Sequence, residues 1–153
     1  MKLIKTAIDF SDYDKKFESI LLGDWCLKDC EDILGSVDKY RKVPYHWDDR
    51  DKYFRDYSYL DRLYEKTLAQ LADELNNLHA INQDLRYWRI VIGPWLRFFV
   101  DALFDRYECV RVAKEVGTVT GFALYSYNLD DWCPADFSEF WAHFTSDEWN
   151  EVI

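Results

Sequence analysis

At 153 residues, with 49% hydrophobic and 31% charged side chains, the chain is long enough for one domain with a real core and too apolar for intrinsic disorder. Its 29 acids against 19 bases, a net charge of -10, exclude the clustered basic face that duplex phosphates require, so no nucleic-acid partner is expected. No apolar run approaches the roughly 20 residues of a membrane span, and the longest, residues 90–100, is interrupted by Arg97.

At the N-terminus Asp9, Asp12 and Asp14 stand where the apolar core of a signal peptide would lie. Residues 17–22 form a short apolar run ending at Gly23, which reads as a buried strand entering a loop that holds Asp24 and Trp25. A loop after such a strand is where α/β proteins place ligands. Residues 27–47 are turn-rich, with Gly35-Ser36 and Val43-Pro44 as punctuation, and carry at most a short helix or strand.

From Asp48 or Asp49 a long helix is predicted, with a buried stripe of Tyr53, Tyr57, Leu60, Tyr64, Thr67, Leu71, Leu75 and Leu78 at three- and four-residue spacings. Pairs at i,i+4, Asp48 with Lys52 and Asp51 with Arg55, suit its exposed side. Asn76, Asn77, His79 and Asn82 mark its end. Asp84 then caps a second long helix towards Lys114, and Gly93-Pro94 inside it predicts a kink or restart.

Residues 119–127 read as another partly buried strand. Strand, two helices, strand is a crossover layout, so this strand and the one at 17–22 are expected to be parallel neighbours in a sheet with further strands missing. Asp136 with Glu139, and Thr145 with Glu148, have capping-box spacing for two helix starts, the second close to Ile153. The fold class expected is α/β and helix-rich, an incomplete parallel, Rossmann-like sheet with a long two-helix crossover. Residues 1–153 are read as a single, partial N-terminal domain of a longer protein.

Cys26, Cys30, Cys109 and Cys133 offer one close spacing, which is neither a zinc knuckle nor a disulfide framework. Reduced thiols in a cytoplasmic protein are expected, and no metal and no cofactor is called for.

Four blocks carry a resemblance: LGDWC at 22–26, YHWDDR at 45–50, LRYWRIVIGPWL at 85–96 and DEWN at 147–150. In this order they resemble the N-terminal part of a transferase family of O-antigen and other surface-polysaccharide gene clusters. The resemblance implies the front part of a two-domain, glycosyltransferase-like fold. It also implies an acceptor site, for a sugar or glycan precursor, mainly in this half, and a nucleotide-sugar donor bound mainly by a part beyond it. It implies no catalytic residues.

The residues themselves suggest where chemistry could sit. Arg86 and Arg89 share a helical face among large aromatics, and an arginine pair half-buried there needs an anion. That anion is a substrate phosphate or carboxylate, or an acid of the preceding helix such as Asp56 or Asp61. The excess of acids favours the second. His46 and Asp48 could act as acid-base groups on a sugar hydroxyl with Trp47 stacked on the sugar, while the same letters also write a helix start with Asp48 as cap. Asp24 and Trp25 gain from their place after the first strand. Trp88 and Trp95 are read as core, and His79 as a helix-end residue. The alternative function is a non-catalytic helical interaction module, or an inactive truncated product.

Overall fold

The computed structural model describes residues 1–11, 18–28, 40–123, 126, 128 and 132–152. The chain divides into two compact units, Met1–His46 with Arg106–Ile153, and Trp47–Asp105.

The first unit is built on a parallel sheet of four short strands, β1 (Lys2–Ile4), β2 (Ser19–Leu21), β3 (Tyr40–Lys42) and β4 (Gly121–Phe122), in the order β3-β2-β1-β4. Leu3 pairs with Ile20 and with Phe122, and Ile20 with Arg41, all in parallel register. Backbone bonds from Leu22 to the Ile4 carbonyl (3.1 Å) and from Val43 to that of Leu21 (2.9 Å) extend the ladder past the strand ends. The terminal amine of Met1 donates to the Thr118 carbonyl at 3.0 Å and to the Thr120 hydroxyl at 3.1 Å, which fixes the start of β1.

The helix-rich α/β class with an all-parallel sheet is as expected, but the arrangement differs in one respect. The strands read at 17–22 and 119–127 are parallel without being neighbours, because β1 lies between them. That central strand is three residues long and begins at the second residue, too short to show periodicity. β2 and β4 are also shorter than read, and residues 17, 124, 125 and 127 of those readings lie outside the described residues. So do Cys30 and Gly35-Ser36.

Leu3, Ile4, Ile20, Leu21, Leu22, Cys26, Val43, Cys109 and Ala113 form the core of this unit. The unit also holds α1 (Ala7–Ser11), a 3-10 turn (Asp24–Leu27) and two later helices, α5 (Phe137–Phe144) and α6 (Asp147–Val152). Asp136 caps α5 by accepting from the Glu139 amide at 2.9 Å, as its spacing predicts. At α6 the cap is Ser146, whose hydroxyl takes the Trp149 amide at 3.1 Å, and not Thr145, which ends α5.

The second unit is helical: α2 (Arg50–His79), α3 (Leu85–Val91) and the first part of α4 (Gly93–Val116), which ends in the sheet unit. Asp49, not Asp48, caps α2, its carboxylate accepting from the amides of Asp51 and Lys52. Asp84 caps α3, accepting from Tyr87 at 2.8 Å. The helix breaks between Val91 and Gly93 because Pro94 has no amide to give the Ile90 carbonyl. Tyr64, Leu68 and Leu96 are its core, joined by Leu71, Ile92, Trp95 and Val100.

The buried stripe of α2 is Leu60, Tyr64, Leu68 and Ala72. Tyr53, Tyr57 and Leu78, for which the spacing predicts burial, are exposed, Leu78 to 75%. Lys52 forms an i,i+4 ion pair with Asp56. Asn76 closes the turn into α3: it exchanges two 2.9 Å bonds with the Gln83 backbone and accepts from the Trp88 indole at 3.0 Å.

Candidate functional site

Parallel strands deliver whatever follows them to one edge of the sheet, and in doubly wound α/β folds ligands bind beyond that carboxyl edge, where strand order reverses. Here β1 is followed by Lys5-Thr6, β2 by Gly23-Asp24-Trp25, and β3 by a segment ending at His46. The order β3-β2-β1-β4 places the reversal at β1.

The side chains after β1 and β2 are tied together. The Trp25 indole donates to the Lys5 carbonyl at 2.9 Å. Its ring lies against Gly23, where a Cβ would come within 2.1 Å of it, and beneath the guanidinium of Arg106 at 5.1 Å. Arg106 in turn donates twice to the Asn150 side-chain oxygen, at 2.8 and 2.6 Å. Glu151 accepts from the Lys5 ammonium and the Thr6 hydroxyl, and its side chain is fully buried. Asp9, also buried, takes the Lys5 amide at 2.8 Å.

Cys26, next to Trp25, sits under the same corner, its thiol reaching the carbonyls of Ile4 (3.4 Å) and Lys5 (3.3 Å). Burial pushes this thiol up to about 12, and it packs in the core of the unit.

Asp24 is exposed and paired with Lys42 at 2.9 Å. His46 is buried against the Tyr45 ring, with a ring nitrogen within 4.8 Å of the Cys109 sulfur and of a Glu108 carboxylate oxygen. Asp24, Trp25 and His46 therefore share the sheet unit, whereas Trp47, Asp48, Arg86 and Arg89 belong to the helical one. Lys5, Thr6, Arg106, Asn150 and Glu151 are additions that sequence reading missed. The nearest signal was the DEWN block, whose Asn150 holds Arg106.

In the helical unit the arginines meet the chain's own groups. Arg89 makes a bidentate pair with Glu65 (2.5 and 2.7 Å), an acid of the preceding helix as expected, though neither Asp56 nor Asp61. Arg89 holds the Glu65 carboxyl below the usual glutamate range through those bonds. Arg86 is exposed instead of half-buried. Asp61 pairs with Arg97, which also bonds Asp101 and lies over the rings of Tyr57 and Tyr64. Burial pushes the Asp101 carboxyl up, against the pull of Arg97.

The Trp47 indole donates to Asp56 at 3.1 Å, and its ring packs on Tyr53 and Phe104, which makes it the staple of the α2 start. Asp48 is exposed. Trp88 is buried as read, and His79 is the last residue of α2, stacked on it. No helix of the described residues is long and apolar enough to cross a membrane.

A family model described as LIC12162 family transferase matches residues 1–153, the whole chain. No curated protein and no solved structure matches it.

Proposed function

Because the chain belongs to this family of transferases, we propose that it is the N-terminal segment of a glycosyltransferase-like enzyme of surface-polysaccharide or O-antigen synthesis. In this reading a sugar or glycan precursor is bound beyond the carboxyl edge of the sheet, in the cytoplasm. An activated sugar is presented by a nucleotide donor held mainly by a part beyond this chain.

The observation that supports the reading is that Lys5-Thr6 and Asp24-Trp25 follow two neighbouring parallel strands and are joined by the Trp25–Lys5 bond, with the strand order reversing at β1; His46 follows β3. Trp25 contributes an aromatic surface and Asp24 a carboxylate able to accept from sugar hydroxyls.

The reaction joins the acceptor hydroxyl oxygen to the anomeric carbon. The bond from that carbon to the donor's phosphate oxygen breaks, and the nucleotide leaves with the electron pair. The hydroxyl proton passes to a base, for which His46 is the first candidate and Asp48 the second. Arg86, Arg89 and Trp47 are retained as substrate contacts of the helical unit, with the pairing of Arg89 to Glu65 weighing against it.

Calorimetric titration of this chain with sugars, sugar phosphates and nucleotide sugars tests the proposal. Binding of a sugar or sugar phosphate, weakened by Trp25→Ala, is expected. Binding of none of the three classes at millimolar concentration overturns it.

A further inference from the structure

Resting on that reading, we infer that Lys5 and Thr6 form an anion site for the acceptor, and that Glu151 is the chain's own carboxylate seated in it. The ligand class is a glycan precursor bearing a phosphate or a sugar carboxylate.

The first argument is chemical. Glu151 offers one carboxylate oxygen to the Thr6 hydroxyl and the other to the Lys5 ammonium. One cation and one hydroxyl donating to two separate oxygens is the pattern these side chains would give a phosphate or an external carboxylate. A carboxylate as fully buried as that of Glu151 is tolerated only where such donors meet it. The Lys5 side chain keeps 18% of its surface in solvent, so the site has an opening.

The second argument is position. Lys5 and Thr6 directly follow β1, the strand at which the order of the sheet reverses. The Lys5 carbonyl holds the Trp25 indole, so an anion at Lys5 is next to the aromatic surface and to Arg106 above it. Asp9 takes the backbone amide of Lys5 and orients that corner.

The third argument is redundancy. Helix α6 is already docked without Glu151. Trp149 is buried against Phe140 and Phe144, Ser146 caps the helix, and Asn150 holds Arg106. Glu151 belongs to the same helix and takes part in none of those contacts. Its side chain can turn to water while α6 stays docked, and an incoming anion then takes both donors. Glu151 thereby sets the apparent affinity, since only the open fraction binds.

Calorimetry on the whole chain with glucose 1-phosphate and with glucuronate tests this. Glu151→Gln is expected to bind at least one probe about tenfold more tightly than the unsubstituted chain, as the competing charge is gone. Adding Lys5→Met to it should abolish the gain. A gain for glucose 1-phosphate alone identifies a phosphate site, and for glucuronate alone a sugar-carboxylate site. A gain for both supports the shared chemistry. No gain for either, or a gain that survives Lys5→Met, overturns the inference. If Glu151→Gln fails to fold, as circular dichroism would show, Glu151→Asp shortens the arm and should give a gain of the same sign; no gain there overturns it equally. Sugar phosphate that binds the unsubstituted chain and neither tightens in these variants nor weakens in Lys5→Met overturns the anion site alone and leaves the transferase reading standing.

Discussion

Helix α2 is made by contacts three and four residues apart, whereas β1 takes its partners from β2, where Lys2 meets Ser19, and from β4, where Lys2 meets Gly121. In α2 the caps, the i,i+4 pair of Lys52 with Asp56 and the stripe from Leu60 to Ala72 all lie within one 30-residue segment. In the sheet, β1 is held by Met1 reaching Thr118 and Thr120, by β2, and by a two-residue β4 that arrives after the whole helical unit. The groups of the proposed site that are joined to one another, Lys5, Thr6, Trp25 and Glu151, come from the second kind of contact. Local order in this chain builds helices, while long-range order assembles the corner where β1 and β2 end.

Thiol chemistry sharpens the contrast most strongly, because all four cysteines lie outside residues 47–105 and report on the sheet unit alone. With its thiol held up at about 12 by burial, Cys26 carries far less thiolate near neutrality than a free cysteine. Mass-spectrometric alkylation should label exposed Cys133 and leave Cys26 untouched until the unit unfolds. Rapid labelling of Cys26 in the folded chain would show the corner beneath Trp25 to be open. The pH dependence follows in sign. The folded value is raised, so this thiol's contribution to stability is complete below about 9 and is lost as pH rises from there to about 12. Urea midpoints taken across that window should fall, and a Cys26→Ala chain should lack this part of the fall.

Core truncations come next. Leu68→Ala in the helical unit and Ile20→Ala in the sheet remove fully buried side chains, and each should cost about 2–5 kcal/mol by urea denaturation. Equal losses would break the contrast between the units only if Ile20→Ala left sugar binding unchanged, since its strand carries the Asp24-Trp25 loop.

Asn76→Ala should cost about 1–3 kcal/mol, because the Gln83 amide and the Trp88 indole both lose their acceptor. Hydrogen exchange should show the loss concentrated around residues 76–88. Smallest is the cap: Asp49→Ala should cost about 1 kcal/mol and Asp48→Ala less than about 0.5 kcal/mol. The reverse order would restore Asp48 as the start of α2.

Periodicity and capping chemistry suffice to read α2, the Asp84 cap, the break at Gly93-Pro94 and the α5 start at Asp136, since each is decided within a turn or two. Where the local signal has two solutions it misleads by one residue, as between Asp48 and Asp49, or Thr145 and Ser146. The stripe of α2 fails at Tyr53, Tyr57 and Leu78 because amphipathicity names the apolar residues of a face, not how many of them a neighbour covers. Asp24, Trp25 and His46 of the proposed site are named by a strand followed by a loop and by an aromatic-flanked histidine.

The remainder was not legible. Lys5-Thr6 follows a strand too short to announce itself, and Glu151 sits 145 residues from the Thr6 it bonds. The amino-acid sequence by itself determined the helices, the acidic surface, the parallel α/β class and the resemblance to a transferase family. Only tertiary structure decided that β1 runs between β2 and β4 and that Glu151 closes onto Lys5 and Thr6. Strand order and buried charge pairing depend on which distant segments exclude water from each other, and no local pattern records that.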